Sequence, residues 1–555
     1  MKKDNDYLYQ FEYVIENIWR LIHLQDNNPF SDTFGCMDYK FWRDKSVDFA
    51  DARYQEASAT IGILCSKNFD FLRKSKKIPP LSRTYNAFSA GVHYWSKIQN
   101  KDGSFDEWYK GERGFAATEF SLIAFGLAYF FLKGRLKKKD EEILRLTSLR
   151  AANWLSERDD FVKSNHQAAA VAALAIAYKN FGNRSFASAS KRKLTSLLKT
   201  QKKEGWFPEV GGMDLGYSFV LLDYVTLSFL FIKPKAHSLS SMKRLLSFLL
   251  PHLHPDGTIS PEYGICCNNY VSRLGVFLLS KYDRKAKRLM SFFRFLSPGE
   301  RGISSILADD LRLSRWSCLP ILSFLFGANF STISRKQAMP KEKSSNNLWF
   351  VNKECAVASY HDGDVRVFYS IAGGGVVRIF QGLELIFEDF GIKLDVNSQA
   401  FHSRSYDCKR KIIYDDHSCF FEGFLSEPSY FSPSFLQRIC LRIAASFAIG
   451  SRLSRKFIDW MRIKRGSSLN QNSAPLANYN RNFPFKRTVS INNKLVVIND
   501  EILHDEGVAS VCNVETYFNS PFVAKTRKTA HHNQGINIDK KINIKEKRIV
   551  VEIRK

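Results

Sequence analysis

The feature that most constrains the fold is a recurring spacing of short glycine turns between apolar segments. The turns are Asp102-Gly103-Ser104-Phe105, Glu204-Gly205-Trp206-Phe207 and Asp256-Gly257-Thr258-Ile259. The last two lie 52 residues apart, and the first precedes Glu204 by 102 residues, close to twice that interval. A period of about fifty residues predicts a repeated helical hairpin, which must stack on its neighbours to bury its apolar face.

Apolar residues at spacings of three and four predict helices through most of residues 50–330. The predicted segments are 116–132, 141–156, 167–181, 219–232, 240–250 and 270–281. The period predicts one more turn between those at 102 and 204, near residues 157–160, where the glycine motif is absent. Closed into a ring, such hairpins give an α/α toroid whose inner helices begin on one rim. An ordinary helical bundle with glycine turns is the alternative.

The composition changes after the helices. Residues 331–347 are polar and contain helix breakers, which predicts a linker between a toroid domain (1–330) and a second domain (348–555). Predicted strands follow, at 356–360, 365–371, 376–380, 383–387, 411–414, 487–491, 494–499 and 548–553. Short strands with Gly or Asx turns indicate an antiparallel β-sandwich, so the predicted fold class is α+β multidomain.

Residues 435–465 do not fit the strand pattern. They form a basic amphipathic stretch with Leu, Ile, Phe and Trp, in which Asp459 is the one acidic residue. Such a helix can lie in an anionic membrane interface or pack on the protein as an insertion, and the sequence leaves both alternatives open.

The net charge of +27 favours a polyanionic partner: acidic polysaccharide, anionic membrane or nucleic acid. Nucleic acid is disfavoured because zinc-finger spacing, a Walker loop and an aromatic RNP motif are absent. Ten cysteines without CxxC spacing, and an N-terminus without an apolar signal core, predict a cytoplasmic protein, or one peripheral to the inner membrane. No apolar run reaches the roughly 18–20 residues that span a bilayer.

Two short motifs carry the chemistry. Asn165-His166 stands at the start of an Ala-rich helix, and Tyr217, 51 residues after His166, follows Gly211-Gly212-Met213-Asp214-Leu215-Gly216 at the start of another. An amide, an imidazole and a phenol therefore occur at matching ends of two apolar helices. Such a set can bind a uronic-acid carboxylate, accept a carbon-bound proton and protonate a leaving oxygen.

The order of toroid and sandwich, with Asn-His and Gly-x-x-x-x-Gly-Tyr at two inner helices, resembles the heparinase II/III-like family of polysaccharide lyases over roughly residues 80–520. The run Phe34-Gly35-Cys36-Met37-Asp38-Tyr39-Lys40-Phe41-Trp42 is similar to heparinase-like proteins of bacterial surface-polysaccharide clusters. The resemblance implies β-elimination from an acidic, uronate-containing polysaccharide, in capsule or exopolysaccharide metabolism.

The resemblance also implies roles. Asn165 and His166 would stabilise the enolate, and Tyr217 would act as base and acid, with a pKa lowered by cationic neighbours. Where the C5 proton and the leaving oxygen lie on opposite faces of the sugar ring, His361 is the expected base. His402 is the second candidate for that role. Each residue has a structural alternative: a helix N-cap for Asn165, capping or packing for His166, a half-buried aromatic for Tyr217 and a strand turn for His361.

Other residues are expected to bind substrate. Glu209, Asp214 and Glu262 would contact sugar hydroxyls at the rim or support the turns, and His402 and Arg404 would contact substrate or be solvated. The family's sandwich commonly has His-x-His followed by Asp-x-Gly.

This chain keeps Glu388-Asp389-Phe390-Gly391 and, in place of His-x-His, the single His361. A structural divalent metal at Asp389 with His402 or His417 is conceivable, but the spacing is too loose, and no metal or cofactor is predicted.

Three other functions fit parts of the sequence. A uronyl C5-epimerase needs almost the same residues, and a catalytically impaired glycan-binding protein would explain the missing His-x-His. Terpene-cyclase rings also use Asp-Gly turns, but an acidic DxDD-like cluster is absent and a β-domain is appended.

Overall fold

The structure is a computed structural model. It describes residues 6–74, 78–296, 309–327, 349–396, 399–403, 406–407, 409–426, 434–446, 453, 456–457, 483–492, 495–502, 541–543 and 546–552. The predicted linker at 331–347 lies outside these residues, as does most of 447–465.

The helices fill the N-terminal part of the chain. In chain order the described α-helices are α1 Asp6–Glu16, α2 Ile18–Leu24, α3 Tyr39–Trp42, α4 Glu56–Ile63, α5 Leu81–Lys97, α6 Phe115–Leu132, α7 Lys138–Ser156, α8 Ser164–Phe181, α9 Arg184–Leu198, α10 Leu215–Ser228, α11 Ala236–Leu249, α12 Leu274–Leu279, α13 Arg284–Phe295, α14 Asp310–Trp316, α15 Cys318–Gly327 and α16 Phe435–Ala445.

Six of these helices form a closed inner ring. Helix α4 packs on α6, and contacts continue through α8, α10, α12 and α15 back to α4. Helices α5, α7, α9, α11 and α13 each pack outside the inner helix that precedes them. The predicted α/α toroid is confirmed, and the ordinary bundle is excluded because the last inner helix contacts the first.

The inner helices are apolar on all sides, as expected for helices with neighbours all round. Among the described residues, α6 is the one helix long and apolar enough to span a bilayer, and 89% of that 18-residue window is buried inside the protein. It is therefore a core helix of the ring.

A repeated hydrogen-bond brace explains the sequence period. Gln99 Nε2 donates to the Gly103 carbonyl and to a carbonyl in α7, at 2.9 and 3.0 Å. Gln201 Nε2 does the same with Gly205 and a carbonyl in α11, at 2.8 and 3.0 Å. Both glycines have positive φ, and a Cβ there would lie 2.5 Å (Gly103) or 2.7 Å (Gly205) from a carbonyl oxygen of the outer helix. Glycine is required because each turn touches the backbone of that helix.

The C-terminal part is built of antiparallel strands. They are β1 Trp349–Asn352, β2 Val357–Asp362, β3 Val365–Ser370, β4 Val376–Gln381, β5 Glu384–Asp389, β6 Lys393–Val396, β7 Gln399–His402, β8 Ile412–Tyr414, β9 Ser418–Leu425, β10 Phe483–Asn492, β11 Leu495–Ile502, β12 Lys541–Asn543 and β13 Glu546–Glu552.

Two larger sheets form the sandwich. One has the order β1-β2-β3-β4-β5 and the other β12-β13-β11-β10-β9-β8, with β6-β7 as a separate pair. Apolar side chains from both larger sheets, such as Val367, Ile379, Phe421 and Val489, share one core. The predicted antiparallel sandwich is confirmed. Helix α16 is inserted between β9 and β10, where the basic stretch interrupts the predicted strands.

A buried ion pair joins the sandwich to the toroid. Arg378 of β4 donates to Glu262 of the toroid at 2.9 Å and to Glu388 of β5 at 2.7 Å. Ser370 Oγ donates to the Glu262 carbonyl at 2.6 Å. The Tyr406 hydroxyl lies 3.1 Å from Met213 N and 3.2 Å from Met213 O. Glu262 therefore connects the domains, and its predicted contact with sugar hydroxyls is corrected.

Replacing Arg378 with alanine should lower the free energy of unfolding by about 3–5 kcal/mol, because Glu262 would remain buried without its cation. Denaturant unfolding measures the change. Arg145→Ala is the control, since the Arg145–Glu142 pair is exposed (41% and 54%) and such pairs contribute about 1 kcal/mol or less. Equal losses in the two variants would show that the buried pair does not secure the domain contact.

Candidate active site

The starts of α8 and α10 are tied to each other on one rim of the ring. The segment before α8 pairs with the segment before α10 through an antiparallel bridge between Lys163 and Glu209. The Val210 amide donates to the Val162 carbonyl at 2.9 Å, and Ser164 Oγ donates to the Pro208 carbonyl at 2.7 Å. The two motifs found in the sequence are thus brought together by a short sheet-like contact.

His166 is oriented by a carboxylate. Its Nδ1 lies 3.0 Å from Asp160 Oδ2 and 4.0 Å from Glu119 Oε1, and its side chain is 12% exposed. The Phe120 ring meets the imidazole edge-on at 6.0 Å between centroids. Within the described part of the chain, no residue hydrogen-bonds the other ring nitrogen, Nε2.

The imidazole is neutral at physiological pH. Burial, followed by the charge of Lys163, lowers the pKa of His166 to about 4, against the opposing effect of Asp160. Burial alone would raise the pKa of Asp160, but the His166 hydrogen bond, the His166 charge and Lys163 together hold it below its usual value. Nδ1–H therefore donates to the Asp160 carboxylate, which leaves the lone pair on Nε2 as a proton acceptor.

Tyr217, in contrast to His166, is suited to donate a proton. It is half-buried, and among the described residues none hydrogen-bonds its hydroxyl. Burial raises the pKa of Tyr217 well above its usual value, and the nearby acidic groups of Cys266, Asp214 and Glu209 act in the same direction. The expectation that cationic neighbours lower this pKa is wrong, because burial, the largest cause, and the nearby acidic groups both raise it. Tyr217 remains protonated at neutral pH and can donate a proton.

A buried charge network lies next to the pair. Arg315 of α14 binds Asp51 at 2.8 Å and Glu107 at 3.0 Å. Arg53 pairs with Glu56 at the start of α4. The charge of Glu107 is among the smaller influences on the pKa of both His166 and Tyr217, so both groups are within electrostatic reach of this carboxylate. These residues were not predicted from the sequence, because they come from separate segments that only ring closure brings together.

Two cations also stand near the pair. The charge of Lys163 acts on the pKa of His166, Asp160 and Glu107, so its ammonium lies on the His166 side. Arg312 lies on the Tyr217 side: burial lowers its pKa, while Asp309, whose Oδ2 lies 3.7 Å from Arg312 Nε, and then the Tyr217 phenol oppose that effect. Neither cation was predicted; Lys163, only three residues before His166, was the easier one to find.

Asn165 is buried and bound to a buried carboxylate. It is 1% exposed, and its backbone and side-chain nitrogens donate to Glu209 at 2.6 and 2.8 Å. Asp214, 0% exposed, caps α10 by accepting from the Tyr217 amide at 2.9 Å. Of the two roles predicted for Glu209 and Asp214, support of the turns is confirmed and contact with sugar hydroxyls is corrected, because both carboxylates are buried.

The two candidate histidines of the sandwich lie on strands β2 and β7. His361 Nε2 donates to the Pro251 carbonyl at 3.1 Å, and its ring lies 5.1 Å from that of Phe350 and 5.9 Å from that of Phe368. It therefore packs in the contact between sandwich and toroid. His402 lies in β7, where its amide donates to the Ser426 carbonyl at 2.8 Å. Arg404 lies outside the described residues.

The conceivable metal position at Asp389 is taken by a guanidinium. Asp389 pairs with Arg487 and accepts from the Gly391 amide at 2.9 Å. This donor set does not fit a cation, because a bound metal would have to displace Arg487. In the described ranges there is no group of three or more His, Cys, Asp or Glu residues that could hold a metal ion.

Comparison with known proteins gives the fold. No family model matches the chain, and no curated protein matches it in sequence. The structure of a Streptomyces coelicolor chondroitin AC lyase in complex with chondroitin sulphate aligns with a TM-score of 0.52 and 8% identity, over 89% of this chain and 66% of that chain. The chain thus spans slightly less than two thirds of that enzyme and shares its polysaccharide lyase fold.

Two further structures are similar with lower scores. Heparinase III aligns at a TM-score of 0.43 and 8% identity, over 89% of this chain and 75% of that one. A heparan sulfate lyase from Pedobacter heparinus aligns at 0.39 and 10% identity, over 89% and 69%. The fold assignment rests on the chondroitin AC lyase alignment.

Proposed function

We propose that this protein is a lyase that cleaves an acidic, uronate-containing polysaccharide by β-elimination. The observation that carries the proposal is a neutral His166 with an unbonded Nε2 and a protonated Tyr217 at the joined starts of α8 and α10, with the charge of Lys163 acting on the first and Arg312 interacting with the second. One group can accept a proton, the other can donate one, and the cations can bind the substrate carboxylate.

The reaction needs three events in one site. Lys163 and Arg312 neutralise the uronate carboxylate, which makes the C5 proton more acidic. His166 Nε2 takes that proton, the C4–O4 bond breaks as the C4–C5 double bond forms, and the Tyr217 hydroxyl protonates the leaving oxygen. A bound carboxylate also raises the pKa of His166, so the base becomes stronger when substrate is present.

This assignment differs from a mechanism in which tyrosine is both base and acid. An ionised Tyr217 is disfavoured by burial and by Asp214, Glu209 and Glu107. The net charge of +27 favours an anionic polymer as substrate, and a role in capsule or exopolysaccharide metabolism is part of the proposal.

The test is incubation with a panel of uronate polysaccharides in D₂O. A lyase produces an unsaturated uronate, detected by ultraviolet absorbance. Incorporation of deuterium at C5 without chain cleavage would identify a C5-epimerase instead. Neither signal at high enzyme concentration, with glycan binding retained, would identify a glycan-binding protein and overturn the proposal.

The pH dependence distinguishes the two assignments of the base. His166 has a lowered pKa of about 4, so it is deprotonated and competent above that pH and loses function as the pH falls towards it. Tyr217 has a raised pKa, so it stays a donor through neutral pH. We expect kcat/KM to be level from about pH 6 to 9. A steady rise over that range would instead indicate an ionised tyrosine base.

A further inference from the structure

We propose that α16 docks this protein on the surface of an anionic phospholipid bilayer. The inference does not depend on the proposed reaction. Helix α16 begins with a capping box, in which Ser434 Oγ accepts from the Gln437 amide and the Gln437 side chain accepts from the Ser434 amide. The insertion therefore carries its own helix start signal, although it interrupts a β-sandwich.

The helix presents an apolar stripe to solvent. Phe435, Leu436, Ile439 and Ile443 are 76%, 71%, 38% and 60% exposed. At 3.6 residues per turn these four side chains fall within an arc of roughly 100°. Single exposed apolar residues are ordinary on protein surfaces, but a contiguous stripe on one helix face marks an interaction surface.

The opposite face lies against the toroid. Leu441 and Ala444 are partly buried and Ala445 is buried, and these three positions lie on the side of the helix away from the stripe. The Ala445 carbonyl accepts from Arg113 Nη1 at 3.3 Å. A Cβ on Gly111 would lie 2.5 Å from the same oxygen, so the toroid loop fits closely around the end of the helix.

An ion pair between Arg442 and Asp48 adds a second attachment to the toroid. With both attachments in place, the apolar stripe points away from the protein. The folded protein therefore presents the apolar stripe of α16 outward, so the helix need not rotate to bring the stripe into contact with a membrane surface.

The charges select the partner. Residues 434–465 contain eight Lys and Arg residues and one Asp in sequence, and of the eight Arg438, Arg442 and Lys456 lie in the part of the chain that the structure describes. An interfacial helix buries apolar side chains at the headgroup level and places cations among anionic headgroups, which is this combination. A second copy of the chain would bring two such basic segments together, and their repulsion opposes that pairing. The exposed Leu453 and Phe457, 62% and 56%, add apolar surface in the same segment.

The test is co-sedimentation of the full-length protein with vesicles. We expect binding to phosphatidylglycerol–phosphatidylcholine vesicles, little binding to pure phosphatidylcholine, and release as NaCl rises from about 0.1 M to about 0.5 M. The triple variant Phe435→Ser, Ile439→Ser and Ile443→Ser should reduce binding at least about tenfold. Since these side chains are exposed, its thermal unfolding should match that of the unmodified protein.

A matched variant controls for the loss of exposed apolar surface. Phe30→Ser, Leu146→Ser and Leu383→Ser remove three side chains that are 96%, 48% and 52% exposed elsewhere. This variant should bind vesicles as well as the unmodified protein. If the triple α16 variant is unstable, Leu436→Ser alone should still weaken binding severalfold.

The docking proposal is overturned by vesicle binding that is absent or that is the same in the α16 variants. A concentration-dependent dimer that disappears with the triple variant would also overturn it, because the stripe would then belong to a contact between two copies.

Discussion

Tyr217→Phe should lower kcat for uronate elimination by about 10²–10⁴-fold and leave KM nearly unchanged. The phenylalanine ring keeps the half-buried packing but cannot protonate the leaving oxygen. Because no described residue hydrogen-bonds the Tyr217 hydroxyl, its removal breaks no contact that stabilises the fold. Initial rates from the ultraviolet absorbance of the product, at several substrate concentrations, separate kcat from KM.

Tyr129→Phe is the matched control for this variant. Tyr129 lies towards the other end of an inner helix, where its hydroxyl donates to Glu141 at 3.2 Å. Its loss should leave kcat unchanged. If Tyr217→Phe keeps more than about a tenth of the activity, the phenol is not the proton donor, and a water molecule or another side chain must supply the proton.

His166→Ala should also lower kcat by about 10²–10⁴-fold, and added imidazole should restore part of the rate because it can occupy the space left by the side chain. Asp160→Asn should reduce kcat with little change in KM, since the amide no longer holds the tautomer that leaves Nε2 unprotonated. The same absorbance assay, with and without imidazole, measures both effects.

A second histidine–carboxylate pair provides the control. His93 Nε2 lies 3.1 Å from Asp140 Oδ1 on the outer helices, remote from the ring interior. His93→Ala should retain full activity and should show no response to imidazole. If His166→Ala is active without imidazole, His166 is not the base of the reaction. Tyr217 would then be the only acid–base group left in the proposal.

Much of the fold was predictable because its signals are local. The glycine turns at 103 and 205 recur with the same glutamine brace, so the spacing in the sequence reflects one repeated contact. The short strands β6 and β7 were not predicted, because four residues of mixed polarity give no alternating pattern.

The candidate site was only partly predictable. His166 and Tyr217 were found because each stands at the start of an apolar helix. The network of Asp51, Glu107 and Arg315 was not found, since these residues are far apart in the chain and give no local pattern.

The pKa of Tyr217 shows where composition misleads. A net charge of +27 suggested a cationic surrounding for the phenol, yet burial first, and then neighbouring acidic groups such as Asp214 and Glu209, raise its pKa. Electrostatic effects on a buried group depend on the few charges nearest to it, and these are set by the tertiary structure.

Closure of the inner ring has a consequence for biosynthesis. The side of the first inner helix, α4, that contacts α15 stays uncovered until α15 has been synthesised. Likewise, Asp51 and Glu107 have no ion-pair partner in this network until Arg315 has been synthesised. Domains generally acquire structure from the N-terminus as the chain emerges from the ribosome. Here the early hairpins can form in that order, but the acid–base centre assembles only when the nascent chain has passed residue 327. An incomplete chain released before that point would carry the proposed catalytic side chains without the charge network next to them.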